Sequence, residues 1–99
     1  MESVNTLTEV RTRINGIDRE LVKLLSERAK MVKAASGFKK NKAAVADPAR
    51  MQEVILKVRK IGEEYGLDPQ LVENIYRTMI DSFIAMENQE FDKRNGGAL

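Results

Sequence analysis

The chain has 99 residues, 42% hydrophobic and 32% charged, with 17 basic against 15 acidic side chains and a formal net charge of +2. It contains no cysteine and no histidine. Those absences exclude disulfides, thiolate nucleophiles, Ser-His pairs, zinc–thiolate sites and the usual transition-metal ligands. An enzyme of this composition must work with carboxylates, with Lys and Arg, or with positioning and electrostatics alone.

The length suits one domain, residues 1–99, with a modest core that is marginal in a lone monomer. Two prolines and little Val/Ile/Thr alternation point to an all-α chain. The charges interleave along the sequence instead of forming a block, which argues against a nucleic-acid partner. No window reaches the ~18 apolar residues of a membrane span. Met1-Glu2-Ser3-Val4 lacks the regions of a signal peptide, so the cytoplasm is the expected compartment and no membrane partner is expected.

Taken in order, the chain predicts three helices, at about 6–40, 48–65 and 69–93. Asn5 or Thr6 caps the first, and Glu9 completes a capping box with Thr6. Leu7, Val10, Ile14, Ile17, Leu21, Leu24, Arg28, Met31, Ala35 and Phe38 then alternate three and four apart, the seam of a helix packed on other helices. Gly16 is tolerated within it at about 1 kcal/mol. Residues 41–46 break the pattern. Asp47-Pro48 opens the second helix, whose apolar face is Met51, Val54, Ile55, Val58 and Ile61, and Gly66 ends it. Asp68-Pro69 repeats the opening for the third, with a stripe of Leu71, Val72, Ile75, Tyr76, Met79, Ile80, Phe83 and Ile84. Residues 95–99 read as a loose tail.

At 1.5 Å per residue the first helix is roughly 50 Å long, more than the two shorter helices of one chain can cover. A homodimer resolves this. If two copies of the first helix cross antiparallel near residue 22–23, residue i of one faces about 45−i of the other, and the partner's Arg11 lies opposite residue 34.

Five charges stand out. Arg28 interrupts the apolar seam. Lys39 follows three turns later, so the two point nearly the same way with the partner's Arg11 between them, three cations suited to a small anionic ligand. Alternatively Arg11 and Lys39 are merely solvated, and Arg28 pairs with Asp18 or Glu20 of a second copy. Arg50 sits in the first turn of the second helix, against the macrodipole. There it is either simply exposed or binds an anion or hydroxyl together with free backbone N–H groups. Glu87 continues the third stripe by four from Phe83. Either the pattern ends there and Glu87 is exposed, or burial near apolar groups lets it donate a hydrogen bond as the neutral acid.

The joint pattern Arg11-x2-Ile14-x2-Ile17-Asp18, Leu24-Leu25-x2-Arg28, Lys39, Asp47-x2-Arg50 and Glu87 resembles the all-helical chorismate mutases and the related isochorismate-pyruvate lyases, from about Leu7 to Phe91. The run Val32-Lys33-Ala34-Ala35-Ser36-x-Phe38-Lys39 looks closest to the lyase branch. The resemblance implies an intertwined homodimer without cofactor or metal, acting on a small dicarboxylate, each site taking Arg11 from the opposite chain. Arg28 would bind a substrate carboxylate. Lys39 would contact a carboxylate and the ether oxygen, and Glu87, at a position usually Gln, would donate to the same oxygen. Asp47 and Arg50 would close the pocket, with Met51 and Phe83 lining it.

Such a rearrangement of chorismate to prephenate needs no nucleophile or general base, only a dicarboxylate held compactly and donors for charge growing on the ether oxygen. Met51 stands where mutases often carry a Glu that binds a substrate hydroxyl, and in this it resembles the lyases. The mutase is the leading expectation, the lyase the alternative. A non-catalytic helical dimerisation module is the alternative of another class. The expectation is an unregulated, single-function enzyme, without an added domain of the kind that binds aromatic amino acids.

Overall fold

Each helix begins where the sequence supplies a cap. In the computed structural model, which describes residues 5–39 and 46–94, the elements are α1 (Leu7–Ser36), α2 (Pro48–Glu64) and α3 (Pro69–Arg94), with no strand among the described residues. At α1, Glu9 N–H donates to Thr6 Oγ1 at 3.1 Å, while the Glu9 carboxylate accepts from Asn5 N–H at 2.7 Å. Two otherwise orphaned donors are thereby satisfied. At α2, Asp47 Oδ1 accepts from the N–H groups of Ala49 and Arg50, both at 3.1 Å. At α3, Asp68 Oδ1 accepts from Gln70 N–H at 2.9 Å. Pro48 and Pro69 each open their helix, where a missing N–H costs nothing.

The ends differ from one another. α1 stops at Ser36, where Gly37, Phe38 and Lys39 N–H groups bond to the carbonyls of Ala34, Ala35 and Ser36, three residues back, at 3.2, 3.0 and 3.2 Å. These tighter bonds end the helix short of the expected residue 40, which lies outside the described residues with the rest of 40–45. Lys39 is therefore not a helical residue, and the count that set it three turns along one helix from Arg28 does not apply. α2 ends in a Schellman motif: Gly66 takes φ 76°, Leu67 N–H reaches Gly62 O at 2.8 Å, and Gly66 N–H reaches Glu63 O at 3.1 Å.

The chain divides into two compact units, Met1–Met31 and Val32–Leu99. Within the second, α2 and α3 pack on each other around Ile55, Val58, Val72 and Ile80, all buried. Gly62 allows the close approach: a Cβ there would lie 2.7 Å from Val72 Cγ2, inside any real contact. Gly62 meets Val72, Arg59 meets Glu73 and Met51 meets Arg77, so descending numbers on α2 face ascending numbers on α3. The helices are antiparallel, and the start of α2 runs toward the half of α3 that carries Phe83 and Glu87. Ile61, Leu71 and Ile75 are exposed, although the apolar spacing put them in the core stripes.

In the first unit, the helical seam is laid out as the spacing predicts, but Leu7, Ile14, Ile17, Leu21, Leu24 and Met31 are all exposed, Met31 at 68%. Among the described residues no helix is long and apolar enough to cross a membrane.

Candidate active site

The buried polar chemistry of the second unit centres on two residues 48 positions apart. Lys39 Nζ donates to Glu87 Oε2 at 2.8 Å. Glu87 is only 6% exposed, and the Lys39 side chain is half-buried. A carboxylate this far from water needs a charged or hydrogen-bonded partner, and Lys39 is that partner. The turn after Ser36 delivers the ammonium, and the α3 stripe, continued one turn past Phe83, delivers the carboxyl. Of the two arrangements open for Glu87, exposure is overturned. Next to it on α3, Asn88 Oδ1 is buried and has no hydrogen-bond partner.

The start of α2 is built differently from the expectation. The N–H groups of Ala49 and Arg50 are taken by the Asp47 side chain, so these two are not free to receive an anion. Asp47 acts as an N-cap, with both bonds accepted by one oxygen. The Arg50 guanidinium pairs with Glu53 one turn along the same helix, both side chains well exposed. An exposed pair of this kind is worth about 0–1 kcal/mol and opens readily. Met51 and Phe83 are half-buried.

A second charge cluster links α2 to α3, and sequence reasoning missed it. Glu73 accepts from Arg59 Nη1 on Oε1 and from Arg77 Nε on Oε2, each at 2.7 Å. The hydrogen bond from Arg77 holds the Glu73 carboxyl below its ordinary value of 4.5; desolvation opposes this, and the bond from Arg59 reinforces it. Arg59 also reaches Gln70 Oε1 at 3.3 Å, and Arg77 Nη1 lies 3.8 Å from the Met51 sulfur. The i,i+4 spacing of Glu73 and Arg77 was a visible signal. Nothing local in the sequence marks Arg59 as their partner.

The remaining sequence candidates belong to the first unit, where Arg11 is exposed and Arg28 half-buried on α1. Among the described residues no group of three or more carboxylates is arranged to hold a metal ion.

Comparisons with known proteins give the family. Residues 10–88 match the family model of chorismate mutase type II. The chain is 33% identical, over 98% of its length and 96% of the relative's, to an isochorismate pyruvate lyase of Pseudomonas aeruginosa. It is 25% identical to a chorismate mutase of Methanocaldococcus jannaschii, over 91% of this chain and 92% of that one. A bifunctional chorismate mutase/prephenate dehydratase of Buchnera aphidicola is 30% identical over 94% of this chain, which spans 24% of that longer protein.

Proposed function

The chain belongs to the chorismate mutase type II family, and from that premise we propose that it catalyses the [3,3] rearrangement of chorismate to prephenate. The observation that carries this is the pairing of Lys39 with the buried Glu87. Breaking the enolpyruvyl C–O bond puts negative charge on the ether oxygen, and the reaction gains from donors that are already in place. Lys39 supplies one, held by the carboxyl that neighbours it. Glu87 fixes where that ammonium stands from its buried position on α3.

The substrate is a dicarboxylate that reacts only in its compact form. Arg28 binds one carboxylate, and Arg11 of a second copy completes the site. Arg50 closes the pocket from the first turn of α2 once it leaves Glu53, while Asp47 fixes that turn. Met51 and Phe83 form its apolar wall. The working unit is an intertwined homodimer, with the exposed seam of α1 as its shared spine; a stripe of exposed Ile and Leu of this length is costly to leave in water. No nucleophile, metal or cofactor enters the reaction.

Two observations favour a second reading, elimination of pyruvate from isochorismate: Met51 is apolar at the hydroxyl-binding position, and the Pseudomonas relative carries that activity in its name. Incubating the purified protein with chorismate and, separately, with isochorismate distinguishes them. Prephenate from chorismate is the expected product. Salicylate and pyruvate from isochorismate alone would replace the first reading with the second, and no product from either ends both. Arg28→Ala should abolish turnover and leave the fold intact. Glu87→Ala should lower turnover by removing the group that holds the Lys39 ammonium in place; unchanged turnover in that variant removes Glu87 from the site.

A further inference from the structure

We propose that Arg77 is a positioning residue that fixes the Met51 side chain and thereby sets which substrate hydroxyl the site tolerates at the start of α2. The proposal rests on the reading above in placing Met51 in the site; the contacts that hold Met51 stand independently of it.

The Arg77 guanidinium is gripped from one side and free to act on the other. Its Nε is bonded to Glu73 Oε2 at 2.7 Å, and its Nη1 faces the Met51 sulfur at 3.8 Å. Glu73 cannot turn to follow a moving arginine, because its other oxygen holds Arg59 of α2 at 2.7 Å. Arg59 is in turn steadied by Gln70, whose amide donates to Asn74 at 2.9 Å. The planar guanidinium fork therefore has its direction set by a link spanning both helices. Methionine has three rotatable side-chain bonds and a thioether that is a weak acceptor, so it takes the orientation its neighbour favours.

The cluster also carries charge toward position 51. Arg59 and Arg77 share the single carboxylate of Glu73. The cluster thus carries one net positive charge, shared between the Arg59 and Arg77 guanidinium groups, the second of which faces Met51. A side chain at 51 that could accept from a substrate hydroxyl would be drawn to Arg77 instead. The carboxyl carbon of a Glu at this position would stand as many bonds from the backbone as the Met51 sulfur. Arg77 thus keeps the wall apolar toward the substrate by occupying the polar end of whatever stands at 51.

The test is a double-mutant cycle of Arg77→Gln and Met51→Ala, read as kcat/KM for chorismate relative to isochorismate. Arg77→Gln should change that ratio by about two- to tenfold, the scale of a weak contact to sulfur. In the Met51→Ala background the same substitution should leave the ratio unchanged. An effect that persists there means Arg77 acts on the substrate or on the fold, and overturns the proposal. A loss of stability alone, with the ratio constant in both backgrounds, overturns it equally.

A readout without turnover separates this from failure of the functional reading. In protein labelled at its five methionine methyl groups, the signal lost in Met51→Ala identifies Met51. Arg77→Gln should shift and broaden that signal. A Met51 signal indifferent to Arg77→Gln removes the positioning role even if the enzyme is active. A shifted signal in a protein that turns over neither substrate keeps the positioning of Met51, loses its consequence for specificity, and rejects the functional reading.

Discussion

The α2–α3 hairpin and the first 31 residues carry apolar stripes of the same kind, and they end differently. In the hairpin, Ile55 is 1% exposed and Val58, Val72 and Ile80 are buried beside it. On α1, Ile17, Leu21 and Leu24 repeat the same spacing and remain exposed. Spacing specifies that a helix has a face to bury; it does not specify against what. The hairpin finds its partner within the chain because the Gly66 motif and the Asp68 cap turn it back within a few residues. The α1 seam stays exposed among the described residues, and in the proposed homodimer a second copy is the partner that covers it.

That contrast is broken most severely by a charge in the seam. If the proposed homodimer holds, Leu21→Glu should give a monomer by light scattering and lower turnover by about a hundredfold or more, since each proposed site would lose its Arg11 together with the interface. A Leu21→Glu protein that stays dimeric and active would mean that the seam is not the interface. On the other side of the comparison, Ile55→Ala removes a side chain that is already enclosed. It should cost about 2–5 kcal/mol in urea unfolding, a large part of the 5–15 kcal/mol typical of a domain. A cost below about 1 kcal/mol would indicate a hairpin that collapses around the lost volume and is less tightly packed than its burial suggests.

The same contrast marks what the sequence made legible. Helix starts were plain, because Thr6, Asp47 and Asp68 act through bonds to N–H groups two or three residues away. The end of α1 was not. Phe38 keeps the apolar spacing and so extended the expected helix, yet it is 89% exposed and lies in the turn that Gly37 begins. In the core stripes, Ile61 yields its place to the buried Gly62, since closeness of the two backbones outweighs hydrophobicity at that level. The Lys39–Glu87 meeting was anticipated only through the family pattern; no local rule joins residues 48 apart. The Arg59–Glu73–Arg77 link went unseen for the same reason, half of it being a contact between helices. In each case the legible part is a short-range bond and the illegible part a tertiary one.

The smallest effect tests whether that unseen link contributes to the hairpin's closure. Glu73 is held below its ordinary value of 4.5, chiefly by the hydrogen bond from Arg77. A carboxylate whose folded value is depressed stabilises the folded state fully above its unfolded value, and the stabilisation fades as pH falls through the lower folded value. Wild-type protein should therefore lose stability on acidification below 4.5, and Glu73→Gln should lose less over the same interval. At neutral pH the variant should be the less stable of the two by urea unfolding, with the gap narrowing as the wild-type carboxyl takes up its proton. Arg77 is about half exposed, so solvent screens its share and the gap should be modest. Raising the salt concentration should shrink it further at neutral pH while leaving the cost of Ile55→Ala untouched, because burial of a methyl-rich side chain carries no charge to screen. A gap that stays constant from neutral pH to well below 4.5 would make the link a consequence of the packing at Gly62 and Val72 and not one of its causes.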